Sequence, residues 1–275
     1  MSHLVGPVWS GQRPLLLRDP RTTDWKLSGN FAFLSALLVG YVYVVKVAGP
    51  RFMKGRQPFH GLKPVILAYN ASMVVLNIFF VYQLSRRSYL GGGYSWFCQG
   101  LDYSTQQHHL EIIHLIWWFT WLRVADFLDT VFFVLRKKDS HVSFLHVVHH
   151  VLVVFNCWFG ITYGSDGHIL LAVIMNSCVH IIMYSYYFLS LLGPSVQKYL
   201  WWKKYLTGLQ ITQFIAMLLH NMIPIFVPCN YPLSHVLLVA PQTIFFMVMF
   251  TRFYTKTYRI ARRMSRMLSF GSKES

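Results

Sequence analysis

Seven apolar stretches divide the chain: Phe31 to Val47, Val65 to Leu84, Ile112 to Leu135, Val142 to Ile161, Ile169 to Leu192, Tyr205 to Val227 and Val236 to Phe253. Most are about 20 residues long, enough for a helix to cross roughly 30 Å of hydrocarbon. The pattern predicts an all-α polytopic membrane protein with seven transmembrane helices. Residues 1–29 form a polar arm with Pro, Arg and Asp and no apolar core, so the first span is expected to direct its own insertion. Residues 30–258 form one helical domain, and 259–275 a basic tail ending SRMLSFGSKES. The longest gap, Ser85 to Glu111, carries a GGGY turn and the polar run LDYSTQQHH, which is expected to fold as a loop. There is no Walker loop and no dinucleotide fingerprint, so no domain driven by ATP or binding NAD is encoded.

Composition removes the soluble classes. With 55% hydrophobic, 17% aromatic and only 12% charged residues, the chain is too apolar for an ordinary soluble domain. Its net charge of +16 is distributed unevenly. Basic residues follow the first, third and fifth spans and crowd the end of the seventh, seventeen in all, against six in the arm and after the second span. The positive-inside rule therefore places the C-terminus in the cytoplasm and the N-terminus on the lumenal or external side. The basic loops border one mouth of the helix bundle, which suits anionic lipid head groups or a phosphorylated cosubstrate rather than nucleic acid. Of the four cysteines, Cys157 and Cys178 fall within spans, whereas Cys98 and Cys229 fall in loops on the non-cytoplasmic side and can pair if that side is oxidising.

Polar residues inside the spans carry the chemistry. In SFLHVVHHVLVVF, His146, His149 and His150 stand at i, i+3 and i+4, on one helix face. The third span reads RVADFLDT, with Arg123, Asp126 and Thr130 at i, i+3 and i+7 and Asp129 beside them, charges expected as a paired network. The fifth span has a stripe of Asn176, His180, Tyr184 and Tyr187, and the sixth has Thr207, Gln210 and Gln213, with His220 beyond. Four such helices imply a shared polar interior walled by Phe, Trp and Met, suited to a substrate that is mostly hydrocarbon with one polar reacting centre. Clustered imidazoles serve either as metal ligands or as nucleophile and base. The 13 histidines include one HxxHH box, and His108, His109 and His114 lie at the opposite end of the third span, too few near the box for a membrane di-iron desaturase or hydroxylase. A seven-span receptor shares the topology but has no need of three histidines on one face.

FFVLRKK from Phe132, LHVVHH from Leu145, NSCVHIIMYSYY from Asn176 and YLWWKKYLTGLQITQ from Tyr199 together, in this order, resemble the very-long-chain fatty-acid elongases of the ELOVL family. The resemblance covers nearly all of the chain after the arm. One departure lies in the third span, where the family usually reads KxxExxDT and this chain has Arg123, Asp126, Asp129 and Thr130. The resemblance implies a six-helix barrel of spans two to seven, built from two inverted three-helix units around an acyl tunnel. It implies condensation of a long-chain acyl-CoA with malonyl-CoA to 3-ketoacyl-CoA, CO2 and CoA at the endoplasmic reticulum membrane, without a metal or other cofactor. By resemblance His149 is the nucleophile, a choice over His150 that spacing alone leaves open. His150 and His180 position the malonyl group or its enolate, and His146, Asp126, Asp129, Asn176, Tyr187 and Gln210 orient them. Arg136, Lys137, Lys138, Lys203, Lys204 and Arg252 are candidates for the CoA phosphates, and the resemblance also implies a disulfide between Cys98 and Cys229. Implied partners are acyl-CoA, malonyl-CoA, membrane lipid, other elongation-cycle enzymes and a second copy of the chain.

Overall fold

The computed structural model describes residues 17–260. Among the described residues the chain is helical throughout, with no strand. We label the main helices α1 (Phe31–Met53), α2 (Lys63–Arg87), α3 (Gln107–Ala125), α4 (Phe127–Leu135), α5 (Phe144–Tyr163), α6 (Ile169–Leu191), α7 (Lys203–Phe226) and α8 (Leu233–Tyr254). Six of these segments are long and apolar enough to cross a membrane. The remaining expected span, Ile112 to Leu135, is broken at Asp126 into α3 and α4. Charge is the reason for the break: Asp126 and the preceding Arg123 are buried and bond to neighbouring helices, and the turn between α3 and α4 directs them there.

Helix packing closes a ring. α2 packs on α3, α3 on α5, α5 on α8, α8 on α7, α7 on α6, and α6 returns to α2. The members of α2, α3 and α5 thus meet those of α6, α7 and α8 first to first and last to last, the order of an inverted repeat. α1 lies outside the ring against α4 and α5. It contains a π turn at Val44–Ala48, where Gly49 N–H reaches back to Val44 O and Pro50 supplies no donor.

Contacts between loops define the two ends. At one end Phe59 N–H donates to Leu135 O (3.1 Å), tying the α1–α2 connection to the end of α4. Burial, reinforced by Lys138 and Lys203, holds the His141 imidazole below its usual range, so the α4–α5 and α6–α7 connections share that end. This is the basic end. At the other, a disulfide joins Cys98 in the α2–α3 loop to Cys229 in the α7–α8 loop. Gly167, at φ +76°, lets the α5–α6 turn approach the carbonyl of Gly100 where a Cβ would stand 2.5 Å away.

The polar arm folds onto this same end. Asp19 N–H donates to Thr162 O (2.8 Å), the Thr22 hydroxyl to Ile161 O (2.6 Å), and Trp158 Nε1–H to Leu27 O (3.1 Å), so residues 19–29 satisfy the last carbonyls of α5. Arg21 is paired with Asp19 (2.7 Å) and lies 3.5 Å from Asp166, and it also donates to Asp102 O. His109 stands 3.4 Å from the same Asp166 oxygen. Burial, moderated by Arg21 and augmented by Asp19, pushes the Asp166 carboxyl up to about 7. Between its unfolded value near 4 and that raised value, the folded state binds the extra proton, so stability falls as pH rises through this window. Asp166→Asn is expected to flatten that slope and raise the thermal midpoint at pH 7.5 more than at pH 5. An equal shift at both pH values would remove Asp166 as the titrating group.

Candidate functional site

The histidines occupy the first two turns of α5, at the basic end, where Ser143 caps the helix by accepting from His146 N–H (3.2 Å). Helical geometry separates His149 and His150 by about 100°, so the box presents two directions. His146 and His150 face α4 and α1: their ring centroids are 4.4 Å apart, and His150 lies 6.1 Å from Phe127 and 6.2 Å from Tyr41. His149 faces α8. Among the described residues its ring meets the edges of Phe246 (5.1 Å) and Phe250 (6.4 Å) and makes no hydrogen bond. A neutral imidazole held by aromatic edges keeps a lone pair available for attack.

His146 is held from outside the ring. Its Nε2 lies 2.9 Å from Thr130 Oγ1, which lies 2.8 Å from the Tyr41 hydroxyl of α1, and the Tyr41 ring stacks on Phe127 at 3.9 Å. If Tyr41 donates to Thr130, the threonine donates to Nε2 and the His146 proton sits on Nδ1. Tyr41→Phe removes the first link. We expect turnover to fall about three- to tenfold, the worth of one buried hydrogen bond near 1 kcal/mol, with KM for the substrate unchanged. Steady-state kinetics check this, and wild-type turnover would deny α1 any part in positioning His146.

The second half of the centre joins α2, α3, α4 and α6. Arg123, fully buried, places Nη1 2.6 Å from His180 Nδ1 and 3.2 Å from its Nε2, donates from Nη2 to Asn77 Oδ1 (3.0 Å), and pairs with Asp126 (3.2 Å). A guanidinium only donates, so the His180 nitrogen that accepts from Arg123 carries the lone pair and the other nitrogen carries the proton. Asp126 itself is 3.9 Å from His180, so the arginine orients this ring and the carboxylate holds the arginine. The Tyr184 hydroxyl lies 2.9 Å from Asp126 and 2.6 Å from Asp129, and Tyr69 of α2 donates to Ala125 O (3.2 Å) at the break between α3 and α4.

Other expected residues fall around this centre. Asn176 sits one turn before His180 on α6, Tyr187 is half-buried beside Tyr184 (ring centroids 5.9 Å), and Gln210 of α7 contacts Met183 Sδ (3.8 Å). At the basic end Lys138, Lys203, Lys204 and Arg252 are exposed, and Arg136 is half-buried. Lys137 is exposed there too and lines a cleft against α1. Tyr41, Tyr69 and Asn77 had not been singled out. Asn77, a lone amide inside VVLNIFF, had a visible signal; the tyrosines, in aromatic-rich spans, had none.

The family described as ELO: GNS1/SUR4 matches residues 26–266. The chain is 42% identical over 245 residues to Very long chain fatty acid elongase AAEL008004 of Aedes aegypti, covering 89% of this chain and 68% of that protein. It is 41% identical to Very long chain fatty acid elongase 4 of Mus musculus (88% and 77% covered) and 38% identical to Very long chain fatty acid elongase 1 of the same species (90% and 89%). With its histidine box and its ring of helices, the chain belongs to the ELO: GNS1/SUR4 family of fatty acid elongases.

Proposed function

We propose that this protein condenses a long-chain fatty acyl-CoA with malonyl-CoA to give 3-ketoacyl-CoA, CO2 and CoA, through an acyl group carried on His149. The observation that supports the reading is the contrast between two imidazoles: His149 makes no hydrogen bond to any described residue, and His180 is held by Arg123. His149 attacks the thioester carbonyl, the C–S bond breaks, and the leaving thiolate takes the imidazole proton to leave as CoA. The malonyl group then loses CO2, and its enolate attacks the acyl-imidazole carbon, expelling the imidazole, which is reprotonated. The His180 N–H is a donor for the oxyanion or enolate, and His150, on the adjoining face, positions the malonyl group. Arg136, Lys138, Lys203, Lys204 and Arg252 offer cations to the CoA phosphates.

The reaction takes place at the cytoplasmic face of the endoplasmic reticulum membrane, with the basic end inward and the disulfide-bearing end in the lumen. No cofactor is needed, because a thioester is already activated. The test is a mass-spectrometric assay of purified protein with malonyl-CoA and acyl-CoAs of about 14 to 24 carbons, without NADPH. A 3-ketoacyl-CoA two carbons longer establishes the reaction and names the preferred chain. No extension of any acyl-CoA by folded protein would refute it.

A further inference from the structure

A cleft of about 550 Å³ opens at the basic end between α1 and the turn that follows α4. Lys46, Arg51, Lys54 and Lys137 line it, with Asp139 as the one carboxylate among the lining residues. Its apolar wall includes Val45, Val134 and Val142. The polar side is therefore strongly cationic and the wall beneath it apolar, the profile of an amphiphile with a phosphate-bearing head.

Two backbone features direct side chains into it. Lys137 has φ +52° and occupies the turn that ends α4, with Lys137 N–H donating to Val134 O (3.0 Å) and Lys138 N–H to Phe133 O (2.8 Å). That bond pattern usually places glycine in the left-handed position. A lysine standing there accepts strain that glycine would avoid, and such strain marks positions whose side chain is used. The π turn of α1 likewise spans Lys46, whose Nζ donates to Val142 O (2.7 Å) across the cleft.

Position selects the ligand. α1 packs outside the ring against α4 and α5, so this cleft, lined by α1 and the end of α4, lies on the outer side of the ring, where membrane lipid can reach it. We propose that the α1–α4 cleft binds an anionic phospholipid by its head-group phosphate. The site makes no use of His149, His150 or His180.

The test uses the full-length protein in detergent, with native mass spectrometry and titration by phosphatidylinositol, phosphatidylserine or phosphatidylcholine. The wild type is expected to retain the anionic lipids over phosphatidylcholine. Arg51→Ala with Lys54→Ala removes two of the four cations and is expected to weaken retention about thirtyfold, near one factor of five per basic residue. Lys137→Gly supplies the check against mere misfolding: the relaxed turn raises the thermal midpoint while lipid retention falls severalfold. Equal retention of phosphatidylcholine, or unchanged retention in both variants, overturns the proposal. So does displacement of the lipid by millimolar inorganic phosphate or CoA with direct binding of that anion, which would assign the cleft to a soluble phosphate.

Discussion

His149→Ala is expected to lower 3-ketoacyl-CoA formation at least about a thousandfold if His149 is the proposed nucleophile, because its removal takes away the whole covalent route. The change is small structurally. The ring contacts Phe246, Phe250 and His150 and makes no hydrogen bond to described residues, so the variant loses an aromatic edge and no polar partner. A direct readout accompanies the rate. Wild-type protein incubated with acyl-CoA alone should gain the mass of one acyl group, mapped by peptide sequencing to His149, and the variant should gain none. Acylation found on His150 would move the nucleophile one residue along. Turnover within tenfold of wild type would remove it from α5 altogether.

The second large effect concerns Arg123. One guanidinium pairs with the buried Asp126 carboxylate and holds His180 and Asn77 at the same time. Arg123→Ala leaves that polar set without its cation at membrane depth, a change worth about 3–5 kcal/mol, and is expected to unfold the ring or lower its thermal midpoint by many degrees. Arg123→Lys is more informative. An ammonium is a point charge and cannot meet Asp126, Asn77 and His180 with the fixed fork of a guanidinium, so the single variant should lose both stability and turnover. Lysine reaches less far than arginine and glutamate further than aspartate, so the two changes compensate in length. Arg123→Lys with Asp126→Glu should therefore recover much of what either single change loses. Thermal unfolding and turnover of the four proteins form a double-mutant cycle, and additive losses would mean that the two side chains do not act as a pair.

The spans were legible because hydrocarbon imposes both length and composition on a crossing helix, and the ends of α2, α5, α6, α7 and α8 fall within a few residues of the apolar runs. The break at Asp126 was not. Local pattern continues through VADFLDTVFF, and only the partners of Arg123 and Asp126 on other helices make a turn favourable there. The histidine face was readable at the level of spacing, yet its division between α8 and α1 depends on what packs on each side. Residues 1–29 read in sequence only as a polar arm. Its place depends on the free carbonyls at the end of α5, which no stretch of sequence displays. The role of Tyr41 was hidden for the same reason: an aromatic in an apolar span has no mark of what its hydroxyl meets.

The cross-link between Cys98 and Cys229 ties a loop of the first three-helix unit to a loop of the second, and the folded arm covers the same end. That end of the ring is thus cross-linked, and in the proposed reaction spent CoA and incoming malonyl-CoA both use the basic end. If one set of cations serves both nucleotide heads, they take turns. The first head group must depart before the second arrives, and the fatty chain must stay behind on its own anchor, which is what a covalent bond to an imidazole provides.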